Sequence, residues 1–215
     1  MDKIEPDELS NFNDKFLSLL LFQFDYLLLF VYLLFKSFRF PNPALFFLSF
    51  VYGVLFAMGM SSLLITNSEV FDIFYAYLQP ILRLVIVGIF LGIGFNKLRG
   101  ISTFTKILIF LGVGLGGFFL YVLNKHPRPN MLPFNFYWVV IMAFFMFGVL
   151  VKIKNSGVLF SLGVLFIFLS DLYYILPPQV RLFEMTYIFI RLINSTGELI
   201  LVKYLLEHYM ETKNK

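Results

Sequence analysis

The chain has 215 residues, of which 60% are hydrophobic and only 14% charged, and its mean hydropathy is +0.85. Soluble domains carry about a quarter of their residues charged and roughly half apolar, so an aqueous globular domain is excluded. The expected class is all-α, a polytopic membrane helix bundle with about seven transmembrane helices. Thirty Phe against a single Trp point to faces turned toward lipid. Because there is no cysteine, disulfides, thiol catalysis and thiolate metal sites are excluded. Two histidines, His126 and His208, are too few for a catalytic zinc centre, which usually takes three protein ligands. No metal and no cofactor is therefore expected. A net charge of +4 suits the basic loops of a membrane protein and gives no reason to expect a nucleic-acid partner.

Residues 1–15 form an acidic N-terminal tail, with Asp2, Glu5, Asp7, Glu8 and Asp14 against Lys3 and Lys15. A secretory signal needs a basic start and a short apolar stretch. Here the start is acidic and the following apolar run is long, which reads as a retained first helix. Residues 16–206 then make a single transmembrane helical domain, and 207–215 a cytoplasmic tail. Seven spans of membrane-crossing length are expected: Phe16–Phe35, Ala44–Ile65, Ile73–Phe95, Ile107–Leu123, Phe134–Val151, Val158–Leu176 and Met185–Leu206. Short connections make sequential neighbours antiparallel. In the fourth span Gly112, Gly114, Gly116 and Gly117 cluster, and Gly112 and Gly116 have the spacing that lets two helix backbones approach. A phosphate-binding glycine loop needs a preceding strand and a helix N-terminus, which a mid-span position does not provide.

Orientation follows from the basic residues of the short loops. Lys36, Arg39, Lys97, Arg99, Lys106, Lys152, Lys154, Lys213 and Lys215 collect on one side, and fewer, Lys3, Lys15, Lys125, Arg128 and Arg181, on the other. This places the N-terminus outside and the C-terminus in the cytoplasm of a multi-pass cell-membrane protein. The loop Thr66–Asp72, acidic and without Lys or Arg, agrees, whereas Lys125 and Arg128 oppose it.

Within the spans lie Asp25, Arg83, Asp171, Arg191, Glu198 and Lys203. A charge at the centre of a bilayer costs roughly 2.5–3.5 kcal/mol on insertion scales, so each needs a partner or a task. Lys203 lies near the cytoplasmic end of its span and can snorkel to the headgroups. A retinal Schiff base would need a lysine at mid-span, which this one is not. Counted along their helices at about 1.5 Å per residue, Asp171 and Arg191 sit at matching depth, and so do Asp25 and Arg83. The expected buried charge pairs are therefore Asp25–Arg83 and Asp171–Arg191. Such pairs serve packing alone if each merely neutralises the other. Alternatively, Gln79 and Pro80 beside Arg83 belong to a polar cavity. Glu198 is left as a surplus carboxylate. It shares one helical face with Arg191, Asn194 and Ser195, at spacings of i, i+3, i+4 and i+7. An unpaired intramembrane carboxylate suits a general acid or a proton carrier. Tyr173, Tyr174 and Tyr187 are placed to line the same site, although Tyr is also common where helices leave the membrane. Ser170 has no histidine within reach, so no serine-hydrolase constellation exists.

The sixth span ends Gly163-Val164-Leu165-Phe166-Ile167-Phe168-Leu169-Ser170-Asp171, the seventh carries Thr186-Tyr187, and the third contains Gln79-Pro80-Ile81. These features resemble the lysoplasmalogenase (YhhN-like) family of small polytopic membrane proteins. There a Gly- and Phe-rich run closes in Ser-Asp, a later helix carries Thr-Tyr, and an earlier one Lys-Pro-Leu. The resemblance implies hydrolysis or binding of vinyl-ether lysolipids, with intramembrane aspartates in acid–base roles, and Asp171 would be one of them. The chain departs from the pattern in having Arg191 where the family has Gln after the Tyr. It also lacks a counterpart to the family's earlier Gly-Asp pair and has seven spans where the family usually has eight.

Three functions follow from these residues. One is a lipid hydrolase with Asp171 and Glu198 as acid and base, Arg191 holding the phosphate of a lysolipid, and Asn194, Tyr174 and Tyr187 completing its binding site. The second is a proton-coupled transporter with the buried charges as a relay, although the halves show no internal repeat. The third is a non-catalytic membrane subunit whose charges specify packing and whose glycine face meets a partner or a second copy. All three share membrane lipid as the surrounding partner.

Overall fold

The computed structural model describes the backbone of residues 6–61, 68–96, 102–126, 131–153, 157–176 and 184–213, with side chains described except at 6–22, 68–73, 75, 131, 184–187 and 212–213. Among the described residues it is an all-α bundle of seven helices: α1 (Pro6–Arg39), α2 (Pro43–Ser61), α3 (Ser68–Ile93), α4 (Thr103–Lys125), α5 (Met131–Leu150), α6 (Gly157–Ile175) and α7 (Glu184–Lys213). Over the described residues each expected span falls on one helix, with Phe95, Val151 and Leu176 just past the ends of α3, α5 and α6. Positions 62–65 of the second span lie outside the described residues. The tails differ in one respect: α1 already begins at Pro6 and α7 runs on to Lys213, so helix extends into both tails. Five helices, α2 to α6, are long and apolar enough to cross a membrane. Their outer faces carry side chains that water would not tolerate in such number, among them Phe110, Phe118, Leu132 and Val139. The protein is a multi-pass integral membrane protein.

Local sequence accounts for the ends. Asn42 Oδ1 accepts from the Ala44 N–H (2.8 Å) at the start of α2, where Pro43 stands at the first helical position. Ser102 caps α4 by accepting from the Thr105 N–H at 3.1 Å. After α3, Gly94 adopts a φ of 85°, a left-handed conformation that glycine takes freely. That turn lets the Asn96 N–H reach the Leu150 carbonyl (3.0 Å) and the Lys152 N–H reach the Gly94 carbonyl (2.9 Å), clasping the ends of α3 and α5 together.

The helices close into a ring. α1 packs on α2, α2 on α3, α3 on α5, α5 on α6, α6 on α7, and α7 returns to α1 along a lighter contact. α4 lies outside this ring against α5 and α6. An aromatic layer joins α3, α5 and α6: Phe90 meets Phe144 at 5.7 Å and Phe160 at 5.9 Å, and Phe145 stacks on Phe168 at 4.4 Å. The expected glycine contact is present between α4 and α5. A Cβ at Gly112 would run into the Phe145 ring and one at Gly116 into Met142, and Trp138 Nε1 donates to the Gly116 carbonyl at 3.0 Å. Gly114 and Gly117 face open space on the other side of α4. A tighter glycine contact joins α6 to α7, where a Cβ on Gly197 would lie 2.7 Å from the Gly163 carbonyl oxygen.

Candidate functional site

Apart from Ser37, Ser49 and Ser161, whose hydroxyls donate to carbonyls of their own helices, the buried polar side chains of the ring gather in one cluster. Tyr26 from α1, Tyr52 from α2, Gln79 and Arg83 from α3, Tyr137 from α5, Ser170 and Asp171 from α6, and Asn194 and Glu198 from α7 are all buried. Every helix of the ring contributes. Among the described residues α4 buries no polar side chain there.

At the centre, Arg83 holds two carboxylates. Its Nε donates to Asp171 Oδ2 at 2.7 Å and its Nη2 to Asp171 Oδ1 at 3.1 Å, a bidentate fork. Its Nη1 donates to Glu198 Oε1 at 2.7 Å. The other Glu198 oxygen accepts from the Tyr52 hydroxyl at 2.5 Å. Arg83 and Asp171 are 1% exposed and Glu198 0%, so water screens none of these contacts. The guanidinium also lies over the Phe144 ring, 5.3 Å from its centroid, which adds a cation–π contact to the pairing.

A second group sits between α1 and α7. Arg191 Nη2 donates to Asp25 Oδ1 at 2.6 Å, and Ser195 Oγ donates to Asp25 Oδ2 at 2.5 Å. The Arg191 guanidinium lies 4.3 Å from the centroid of the Tyr26 ring, and Asn194 Nδ2 donates to the Tyr26 hydroxyl at 2.7 Å. Tyr174 stands within electrostatic reach of Arg191. This group is less sealed than the first, with side-chain exposures of 9% for Arg191 and 19% for Asp25.

The structure corrects the expected pairing. Asp25 and Arg83 are not partners, and neither are Asp171 and Arg191: the two arginines exchange acids, and Glu198 joins Arg83 instead of standing alone. Depth along a helix is a one-dimensional coordinate, and matching by depth alone set Asp25 against Arg83 and Asp171 against Arg191 without regard to which helices are neighbours. The order of helices around the ring decided the partners. α1 borders α7, which brings Asp25 to Arg191, while the long side chain of Arg83 crosses from α3 to reach α6 and α7. The shared face of α7 is present, because Arg191, Asn194 and Glu198 are buried while Leu192, Thr196 and Leu199 are exposed. The Tyr187 side chain, expected to line this site, lies outside the described residues.

Tyr52 and Tyr26 are members of the site that the sequence did not single out. Tyr52 carried a usable signal, since it lies well inside a span and not in the aromatic belt at its ends. Three buried polar atoms around the central cluster have no hydrogen-bond partner: Gln79 Oε1, Ser170 Oγ and Asn194 Oδ1. Each neighbours a member of the cluster. Gln79 is one turn before Arg83, Ser170 adjoins Asp171, and Asn194 is one turn before Glu198. A buried polar atom without a protein partner ordinarily meets water or a ligand. No group of three or more metal-ligating side chains occurs among the described residues.

With both acids ionised, the central cluster carries one negative charge more than Arg83 cancels. A single proton balances it. Chemically, the arrangement is a pair of carboxylates held on one cation, bordered by unsatisfied hydroxyl and amide oxygens and walled by aromatic rings. No protein-family model, no characterised protein and no solved structure matches this chain.

Proposed function

We propose that this membrane protein is an intramembrane lipid hydrolase of the lysoplasmalogenase-like kind, with Asp171 and Glu198 as its acid–base pair. The observation that carries this reading is the convergence of both carboxylates on the single guanidinium of Arg83. A proton on either acid would leave one donor and one acceptor on the same guanidinium. In vinyl-ether hydrolysis the protonated acid adds its proton to the β-carbon of the enol ether, the alkene carbon farther from the oxygen. The other carboxylate takes a proton from the water that attacks the resulting oxocarbenium carbon. The hemiacetal then collapses to an aldehyde and the freed alcohol of the lysolipid. Ser170, Gln79 and Asn194 supply the unsatisfied oxygens that would hold the water and the glycerol oxygens. Arg191, expected to hold the lipid phosphate, already binds Asp25, so lipid entry between α1 and α7 would have to part that pair.

The complete burial of the cluster favours a second reading, in which it serves proton coupling or packing without hydrolysis. With the Tyr52 hydroxyl on one Glu198 oxygen and Arg83 on the other, both oxygens of that buried carboxylate already accept a hydrogen bond. In both readings the protein crosses the cell membrane with its N-terminus outside and its C-terminus in the cytoplasm. The excess of Lys and Arg in the loops that this arrangement places in the cytoplasm supports that orientation.

Purified protein incubated with lysoplasmalogen and with ordinary lysophospholipid, beside Asp171→Asn and Glu198→Gln, tests the proposal. Aldehyde release from the vinyl-ether lipid alone, abolished in both folded variants, is the expected result. Wild-type protein that releases no aldehyde would overturn it. Proton flux in liposomes that vanishes with Glu198→Gln would establish the coupling reading instead.

A further inference from the structure

The seam between α1 and α7 opens into a groove of about 450 Å³. Its floor is apolar, made by Leu28 and Leu29 of α1 with Leu199 and Val202 of α7. Its mouth is charged, with Lys36 and Lys203 on the two walls and Glu207 one turn beyond Lys203. The geometry points to a binding site for one anionic phospholipid, its phosphate between Lys36 and Lys203 and an acyl chain along the apolar seam.

Three observations select this occupant. The groove lies on the outside of a bundle that spans a membrane, where lipid is the molecule at hand. From Leu28 to Lys36 it extends along α1 for about 12 Å at 1.5 Å rise per residue, running from apolar floor to cationic mouth, as a lipid does from chain to headgroup. Neither lysine forms an ion pair among the described residues. Each rests on aromatic rings, Lys36 5.5 Å from the Tyr32 centroid and Lys203 5.3 Å from that of Tyr204. Two cations against one acid leave the mouth net positive, which suits a phosphate and disfavours a zwitterionic headgroup that cancels its own charge. Each lysine near the membrane surface adds about 1 kcal/mol of attraction to an anionic headgroup. Another surface groove, between α1, α2 and α3, is lined by apolar residues and Ser61 and holds no charge to select a headgroup.

The site is separate from the acid–base cluster and does not depend on hydrolysis. Its floor begins one turn past Asp25 and Ser195, so an acyl chain there would end against the Arg191–Asp25 pair and brace the lightest contact of the ring.

Native mass spectrometry of the full-length protein, with phosphatidylglycerol or phosphatidylcholine titrated into detergent, tests the site. Phosphatidylglycerol is expected to be retained as one bound molecule and phosphatidylcholine not. Retention should fall roughly fivefold for Lys36→Gln or Lys203→Gln and about 25-fold for the pair. Leu199→Trp fills the groove without touching either lysine and should displace the lipid too. The control pair Lys106→Gln and Lys125→Gln on α4 should leave retention unchanged. Equal retention of the two lipids, retention unaffected by the Lys36/Lys203 pair, or inorganic phosphate competing fully for the site would each overturn the proposal.

Discussion

Arg83 on α3 and Glu198 on α7 stand 115 positions apart in the sequence and 2.7 Å apart in the fold, with Asp171 of α6 on the same guanidinium. One cation between two acids makes the three unequal. Removing Arg83 strands the buried Asp171 and Glu198 carboxylates without their shared counter-charge. Removing either acid leaves a balanced pair.

Arg83→Gln is therefore expected to cost about 3–5 kcal/mol of stability, the usual range for stranding buried charge. Asp171→Asn or Glu198→Gln should cost roughly 1–3 kcal/mol, the loss of charged hydrogen bonds alone. Thermal unfolding in detergent measures the order. If the arginine variant is no worse than the acid variants, Arg83 is not the counter-charge of the core.

Tyr52→Phe keeps the ring in place beside Tyr26, 6.2 Å away, and removes only the donor to Glu198. A hydrogen bond to a buried charge is worth about 1.5–3 kcal/mol, and that loss is expected. In a double-mutant cycle with Glu198→Gln the two changes should couple by at least about 1 kcal/mol. Additive effects would mean that the hydroxyl acts elsewhere.

The exchanged pairing has its own test. Asp25→Asn and Arg191→Gln should couple by roughly 1–3 kcal/mol, because the side chains touch, while Asp25→Asn and Arg83→Gln should add within about 0.5 kcal/mol. Strong coupling of Asp25 to Arg83 would restore the pairing that depth alone predicted.

Two sets of glycines should respond in opposite ways to alanine. At Gly197 the new Cβ meets a carbonyl of α6 at 2.7 Å, a backbone atom that cannot turn aside. The helices must separate, at a cost of about 1–3 kcal/mol for overpacking. Gly114 and Gly117 meet nothing within 4 Å. Alanine there should be neutral or stabilise by up to about 1 kcal/mol through helix propensity. Protein yield and melting temperature separate the two cases. Loss of stability at Gly114 or Gly117 would reveal that this face of α4 is covered by a partner or a second copy.

Much of the bundle was legible without coordinates. Long apolar runs punctuated by Pro41, Asn42 and the basic loops define helices, because a membrane leaves a backbone no other way to satisfy its hydrogen bonds. The inward face of α7 was legible too, since Arg191, Asn194 and Glu198 repeat at helical spacing. The contact of Gly163 with Gly197 was not, because neither has a second glycine three or four residues away to mark a close-packing face.

Sequence by itself determined the class, the seven helices, and which acids and bases had to turn inward, since lipid penalises charge by depth and depth can be counted along a chain. Partners were another matter. Which arginine met which acid depended on the order of helices around the ring, and that order is set by side-chain packing between segments distant in the chain. Only the tertiary structure brought α1 against α7 and aimed Arg83 across the interior. It thereby converted a supposed lone carboxylate at Glu198 into half of a pair with Asp171 on a single cation.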